Sequence, residues 1–82
     1  MDLFSINAVA ESTGIHPSRL RRWEELGLIV PDRVTLGQKS VRVYREPDVK
    51  LLKRVKVLMD SGIVVGKAFW QAEQEAKGET ND

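Results

Sequence analysis

The side chains with chemistry to offer are cations. Arg19, Arg21 and Arg22 crowd one short stretch, and Arg33, Lys39, Arg42 and Arg45 follow it. Between residues 17 and 45 these seven basic groups meet only Glu24, Glu25 and Asp32, a local charge of +4. Residues 1–16 carry −2 and residues 46–82 carry −1, so the overall +1 hides a concentrated patch. Guanidinium groups bind phosphate oxygens and can pair bidentately with the major-groove edge of guanine. A local excess of this kind is the electrostatic shape of a nucleic-acid footprint. A basic helix is also an ordinary solvated face, so the elements that position the cations decide between the two.

Other chemistries find no matching set. His16 is the single histidine and stands before a helix start, where capping is its expected role. No Ser-His-Asp set, phosphate-binding glycine loop or metal-ligand spacing is present. There is no cysteine, which excludes disulfides and thiolate metal sites. The expectation is therefore a protein that is not an enzyme, with no catalytic residues, no metal and no cofactor. No apolar run approaches the roughly 20 residues that span a bilayer, and the N-terminus lacks the build of a signal peptide. A cytoplasmic, nucleoid-associated protein with no membrane partner is expected.

The elements follow from local signals. Ser5 suits an N-cap, and Ile6, Val9 and Ala10 recur on one side of a helix over 6–13 that stops at Gly14. Pro17 fits the first position of a second helix, and Gly27 fits its left-handed stop. Leu20, Trp23 and Leu26 give that helix an inward stripe, leaving Arg19, Arg21 and Arg22 mostly outside it. Helix, short glycine turn and helix make the helix-turn-helix layout, whose second helix enters the major groove. Residues 33–44 read as a β-hairpin wing, with Arg33, Lys39, Arg42 and Arg45 along or beside it. Such a wing can reach the sugar–phosphate backbone; equally, charge on a hairpin protects an exposed edge.

A third helix is predicted over 47–60, with Val49, Leu52, Val55 and Met59 on one face and Leu51 and Leu58 widening it. It ends at Gly62. Lys50, Lys53, Arg54 and Lys56 form mainly its wet face. A fourth helix over 65–76 turns Val65, Ala68, Phe69, Ala72 and Ala76 inward. Trp70 lies beside that stripe and either closes the core or marks a surface for a partner. Residues 1–4 read as a lead-in, and 77–82 as a disordered polar tail. The fold class is mainly α: a winged helix-turn-helix of about four helices and a small hairpin, one domain over 1–76.

This order resembles the DNA-binding domain of the MerR family of bacterial transcription regulators. The resemblance runs from Phe4 to about Ala76. It is carried by Ile6-Asn7-Ala8-Val9-Ala10, Thr13-Gly14-Ile15, Leu20-Arg21-Arg22-Trp23-Glu24, Leu26-Gly27-Leu28-Ile29 and Pro31. Val41-Arg42-Val43-Tyr44, Asp48, Leu51-Leu52 and Ser61-Gly62-Ile63 continue it. It implies that Arg21 and its neighbours Ser18, Arg19 and Arg22 reach base edges and phosphates. It places Arg42 on the phosphate backbone, and Tyr44 either packed under the wing or on a phosphate. It has Trp23 join helix to wing, and Ser5 with the start of the first helix offer N–H groups to phosphate. Arg22 departs from the family, which often has tyrosine there.

Family regulators continue into a long helix that pairs two subunits, then an effector domain; residues 1–82 include neither. A reader domain of a longer regulator and a stand-alone protein are both open, the latter resembling small phage excisionases and short MerR-like developmental regulators. The resemblance brings no metal, redox or drug sensing. The leading function is sequence-specific binding of double-stranded DNA in transcription regulation. An excisionase-like or architectural protein that binds cooperatively and bends DNA is the alternative, and a protein-interaction module on the same fold a third. A second copy could pair through the dimerisation helix or through Trp70 and the fourth helix. The DNA reading requires Arg21 and Arg42 on one side of the molecule, and neither tied up by acidic groups.

Overall fold

The turn at Gly14 shows how local chemistry sets the architecture in the computed structural model, which describes residues 3–80. Helix α1 spans Ile6–Thr13, and its N-cap Ser5 accepts a hydrogen bond from the Ala8 N–H at 3.1 Å. Gly14, at φ 77°, donates its N–H to the Ala10 carbonyl and turns the chain. Thr13 secures this turn twice. Its hydroxyl donates to the Val9 carbonyl at 2.7 Å and accepts from the Ile15 N–H at 3.2 Å. Ile15 is thereby delivered into the core.

Helix α2 spans Pro17–Glu25, with His16 as its N-cap: Nδ1 accepts from the Ser18 N–H at 3.1 Å. Its end is a Schellman turn. The Leu28 N–H reaches the Trp23 carbonyl and the Gly27 N–H reaches that of Glu24, with Gly27 left-handed at φ 74°. This turn corrects the inward stripe. Leu26 is the C-cap and 53% exposed, because the reversal at Gly27 brings Leu28 and Ile29 against the core instead.

The wing is Asp32–Leu36 and Lys39–Arg45. Gly37 and Gln38 connect them in a two-residue turn, and only Gly37 has positive φ, as a type II′ hairpin demands. The sheet has a third strand. Leu3–Phe4 (β1) pairs antiparallel with Tyr44–Arg45, giving the order β1-β3-β2, where β2 and β3 are the hairpin strands. The expected lead-in is thus part of the sheet. A two-residue strand has no periodicity to read; its partner lies forty residues away.

Helix α3 spans Glu46–Asp60 and begins where β3 ends. The Arg45 N–H donates to the Asp48 carboxylate at 3.0 Å, and Glu46 and Asp48 suit the positive end of the helix dipole. A second Schellman turn, at Gly62, closes it. In the last turn Leu58 goes deeper than Met59. Helix α4 spans Val65–Thr80 and packs along α3, so 77–80 are helical rather than tail, and Asn81 and Asp82 lie outside the described residues. Ala68, Phe69 and Ala72 are buried while Ala76 is exposed at the rim. Arg54 on α3 grips Glu75 on α4 with two hydrogen bonds, of 2.6 and 3.1 Å. The core joins Val9, Leu20, Trp23, Tyr44, Leu52, Val55 and Phe69, each burial worth about 1.5–3 kcal/mol for a side chain of this size.

Candidate nucleic-acid interface

The inward side of α2 is fixed by two residues. Leu20 is fully buried, and Trp23 meets Phe69 of α4 edge-on, with ring centroids 5.2 Å apart and planes at 86°. Trp23 therefore joins α2 to α4, where the resemblance had it joining α2 to the wing. With that stripe committed, Ser18, Arg19, Arg21 and Arg22 are exposed. Arg22 makes a loose 3.7 Å pair with Glu25, both well exposed, a contact that solvent screens. Arg19 and Arg21 have no acidic partner among the described residues. The Ser18 hydroxyl is within 2.8 Å of His16 Nδ1, and the Ser5 hydroxyl is used as a cap, so both serines are primarily helix-start residues.

Glu24 joins helix to wing. One carboxylate oxygen accepts from Arg33 at 2.8 Å, and the other accepts a short hydrogen bond from the Arg42 Nε–H. Arg33 and Arg42 stand directly opposite each other across the hairpin. Like charges so placed repel, and Glu24 supplies the anion between them. The Arg42 hydrogen bond, with help from Arg33, holds the Glu24 carboxyl below its ordinary value of 4.5, against the opposing effect of burial. Nearer the hairpin root, Arg45 pairs with Asp32 at 2.6 Å.

This arrangement meets one requirement of the sequence reading and fails the other. Arg21 and Arg42 lie on the same side, since Arg21 stands one turn before Glu24 on α2 and Glu24 bonds Arg42. Arg42, however, is tied up by an acidic group, and so is Arg33. The reason is helical geometry: Glu24 follows Arg21 by three residues, one turn along the same flank, and its side chain meets the wing there. Glu24, which ties the helix to the wing arginines, was given no role by the sequence reading. Its sequence signal was its place among seven cations, beside a motif of otherwise apolar and basic residues.

Tyr44 is fully buried, which removes it from the surface and leaves packing under the wing as its role. Its hydroxyl has no hydrogen-bond partner among the described residues. Burial, then the nearby Glu24 charge, pushes its pKa above 10.0. Lys39 sits at the hairpin tip, exposed and without an ion pair among the described residues. Trp70 is 60% exposed, so it does not close the core. A cleft of about 300 Å³ lies between α3 and α4, lined by Pro47, Lys50, Leu51, Arg54 and Ala72, among others. Among the described residues no group of acidic or histidine side chains is placed to hold a metal ion, and no helix is long and apolar enough to cross a membrane.

A basic helix, a hairpin docked on it and three supporting helices are the parts of a winged helix-turn-helix, and comparison with known proteins places them. The chain is 40% identical over 62 residues to a putative heat shock protein HspR of Streptomyces coelicolor, covering 74% of this chain and 39% of that one. It is 35% identical over 66 residues to the HTH-type transcriptional repressor CarH of Myxococcus xanthus, covering 79% of this chain and 21% of the relative. The chain thus spans well under half the length of these curated relatives. Residues 4–68 match the MerR HTH family of regulatory proteins, and the chain belongs to that DNA-binding family of transcription regulators.

Proposed function

We propose that this chain reads a specific sequence of double-stranded DNA for transcription regulation, with α2 in the major groove and the hairpin along the phosphate backbone. The observation that carries this reading is the outer face of α2: Arg19 and Arg21 stand exposed, with no ion pair among the described residues, beside a docked hairpin. An α-helix is about as wide as the major groove, and arginine is the commonest reader of guanine there. Arg21 is assigned to base edges, and Arg19, Arg22 and Ser18 to the flanking phosphates. Lys39 at the tip takes a backbone phosphate, and the first turn of α1 behind Ser5 offers N–H groups to another. Arg33 and Arg42 join them once a phosphate replaces Glu24.

Fluorescence titration tests the assignment, using a duplex selected by the wild-type chain from a randomised pool and a scrambled duplex of equal composition. Arg21→Ala is expected to cost about 1–3 kcal/mol on the selected duplex and much less on the scrambled one. Equal losses on both would remove Arg21 from base reading. One observation favours a second reading. The exposure of Trp70 on α4 suits a contact between copies lined up along DNA. A mobility-shift ladder on a long duplex, abolished by Trp70→Ala, would support that architectural role; a single discrete complex would count against it.

A further inference from the structure

We propose that Glu24 is an internal stand-in for a DNA phosphate, and that it sets specificity by making the wing arginines available only to a backbone placed to displace it. The inference rests on the DNA-binding reading above and names a residue that reading does not require.

Three observations carry it. The Arg33 and Arg42 guanidinium groups come from opposite strands and converge on the two oxygens of one carboxylate. Carboxylate and phosphate offer guanidinium the same kind of paired oxygen acceptors, so a site that fits one fits the other. The cluster is also at the surface rather than in the core: the Arg33, Arg42 and Glu24 side chains are 45%, 27% and 20% exposed. An incoming phosphate therefore has access. Finally, the cluster holds two cations and one anion, so it keeps a positive charge that attracts phosphate while its hydrogen-bonding groups are engaged. Among the described residues, Arg19, Arg21 and Lys39 meet no such restraint.

The physical consequence is a difference between duplexes. Loose, sequence-independent binding uses the unrestrained cations and leaves the clamp closed. Close docking, with α2 seated in a matching groove, brings a phosphate against the wing at the one distance where it can take over from Glu24. Arg33 and Arg42 then add to specific binding and little to non-specific binding.

The test is the salt dependence of Glu24→Gln, which keeps the side-chain shape and removes the charge. On the scrambled duplex the slope of log K against log salt should steepen by about 0.9 for each arginine released to a phosphate. Affinity for that duplex should rise, and the selected-to-scrambled ratio should fall at least several-fold. Adding Arg33→Gln and Arg42→Gln to this variant should abolish the steepening. Unchanged or shallower slopes in Glu24→Gln, with equal weakening on both duplexes, would overturn the proposal and leave Glu24 a purely structural joint. Wild-type protein gives a second reading that does not depend on a variant folding. The Arg42 Nε–H resonance should move strongly when the selected duplex is added and little with the scrambled one. Equal movement with both would overturn the proposal while leaving DNA binding intact. Wild-type protein that binds neither duplex at low salt would overturn the DNA-binding reading itself.

Discussion

Helix α2 and the hairpin carry the same kind of charge and hold it in opposite ways. The helix anchors itself with apolar contacts, Leu20 in the core and Trp23 against Phe69, and leaves Arg19 and Arg21 unrestrained. The hairpin has almost no buried surface beyond Tyr44; every residue of β2 is exposed. It is fastened to the helix by Arg33 and Arg42 on Glu24, and its own two strands are tied at the root by Arg45 on Asp32. A cation can serve a ligand freely only where something else holds its element in place. In the wing, Lys39 at the tip apart, the cations are themselves part of the fastening, so a ligand must compete with the fold for Arg33 and Arg42.

The largest blow to this contrast is Trp23→Ala. Loss of a buried indole should cost about 3–5 kcal/mol, read as a lower midpoint in urea. Leu36→Ala, on the exposed hairpin, should stay within about 0.5 kcal/mol. Comparable losses at the two sites would mean the hairpin is held by packing after all. Next comes Tyr44→Phe. Removing a buried hydroxyl that lacks a partner should raise stability, by up to about 1 kcal/mol, and leave the salt dependence of binding alone. A clear loss of stability would reveal a hydrogen-bond partner under the wing.

Acid sharpens the comparison further. The folded-state pKa of Glu24 lies below its ordinary 4.5, so the clamp contributes stability above that pH and loses it as pH falls through the lowered value. Wild type should therefore lose more stability than Glu24→Gln on going from neutral pH to below 4.5, followed by thermal melts at matched ionic strength. A pH-independent gap between the two would show that the charge on Glu24 is not what fastens the wing. The smallest effect belongs to Lys39→Gln, which should shallow the salt slope by about 0.9 without moving the melting temperature.

What the sequence revealed follows from range. Ser5, Gly14, Pro17, Gly27 and Gly62 each act on backbone within four residues, and the helices begin or end where these residues said. The third helix and the hairpin were legible too, because periodicity and turn residues are also local. Strand β1 was not, since its pairing with Tyr44 and Arg45 is long-range and spans two residues. The exposed cations of α2 were legible as the remainder of its apolar stripe, yet Leu26 was misplaced because helical phase was continued past a turn that ends it. The engagement of Arg33 and Arg42 by Glu24 was illegible for another reason. It depends on where a hairpin rests against a helix, and no spacing in the chain encodes that angle.

The extra strand gives β3 two mechanical characters. Its root, at Tyr44 and Arg45, pairs with β1, while the stretch from Val43 out to the tip at Lys39 pairs with β2 alone in a two-stranded ribbon. Such a ribbon behaves as a cantilever: clamped at the body, compliant at the end. Amide exchange should then slow steadily from tip to root along one strand, and the tip that carries Lys39 can shift while the body beneath stays still.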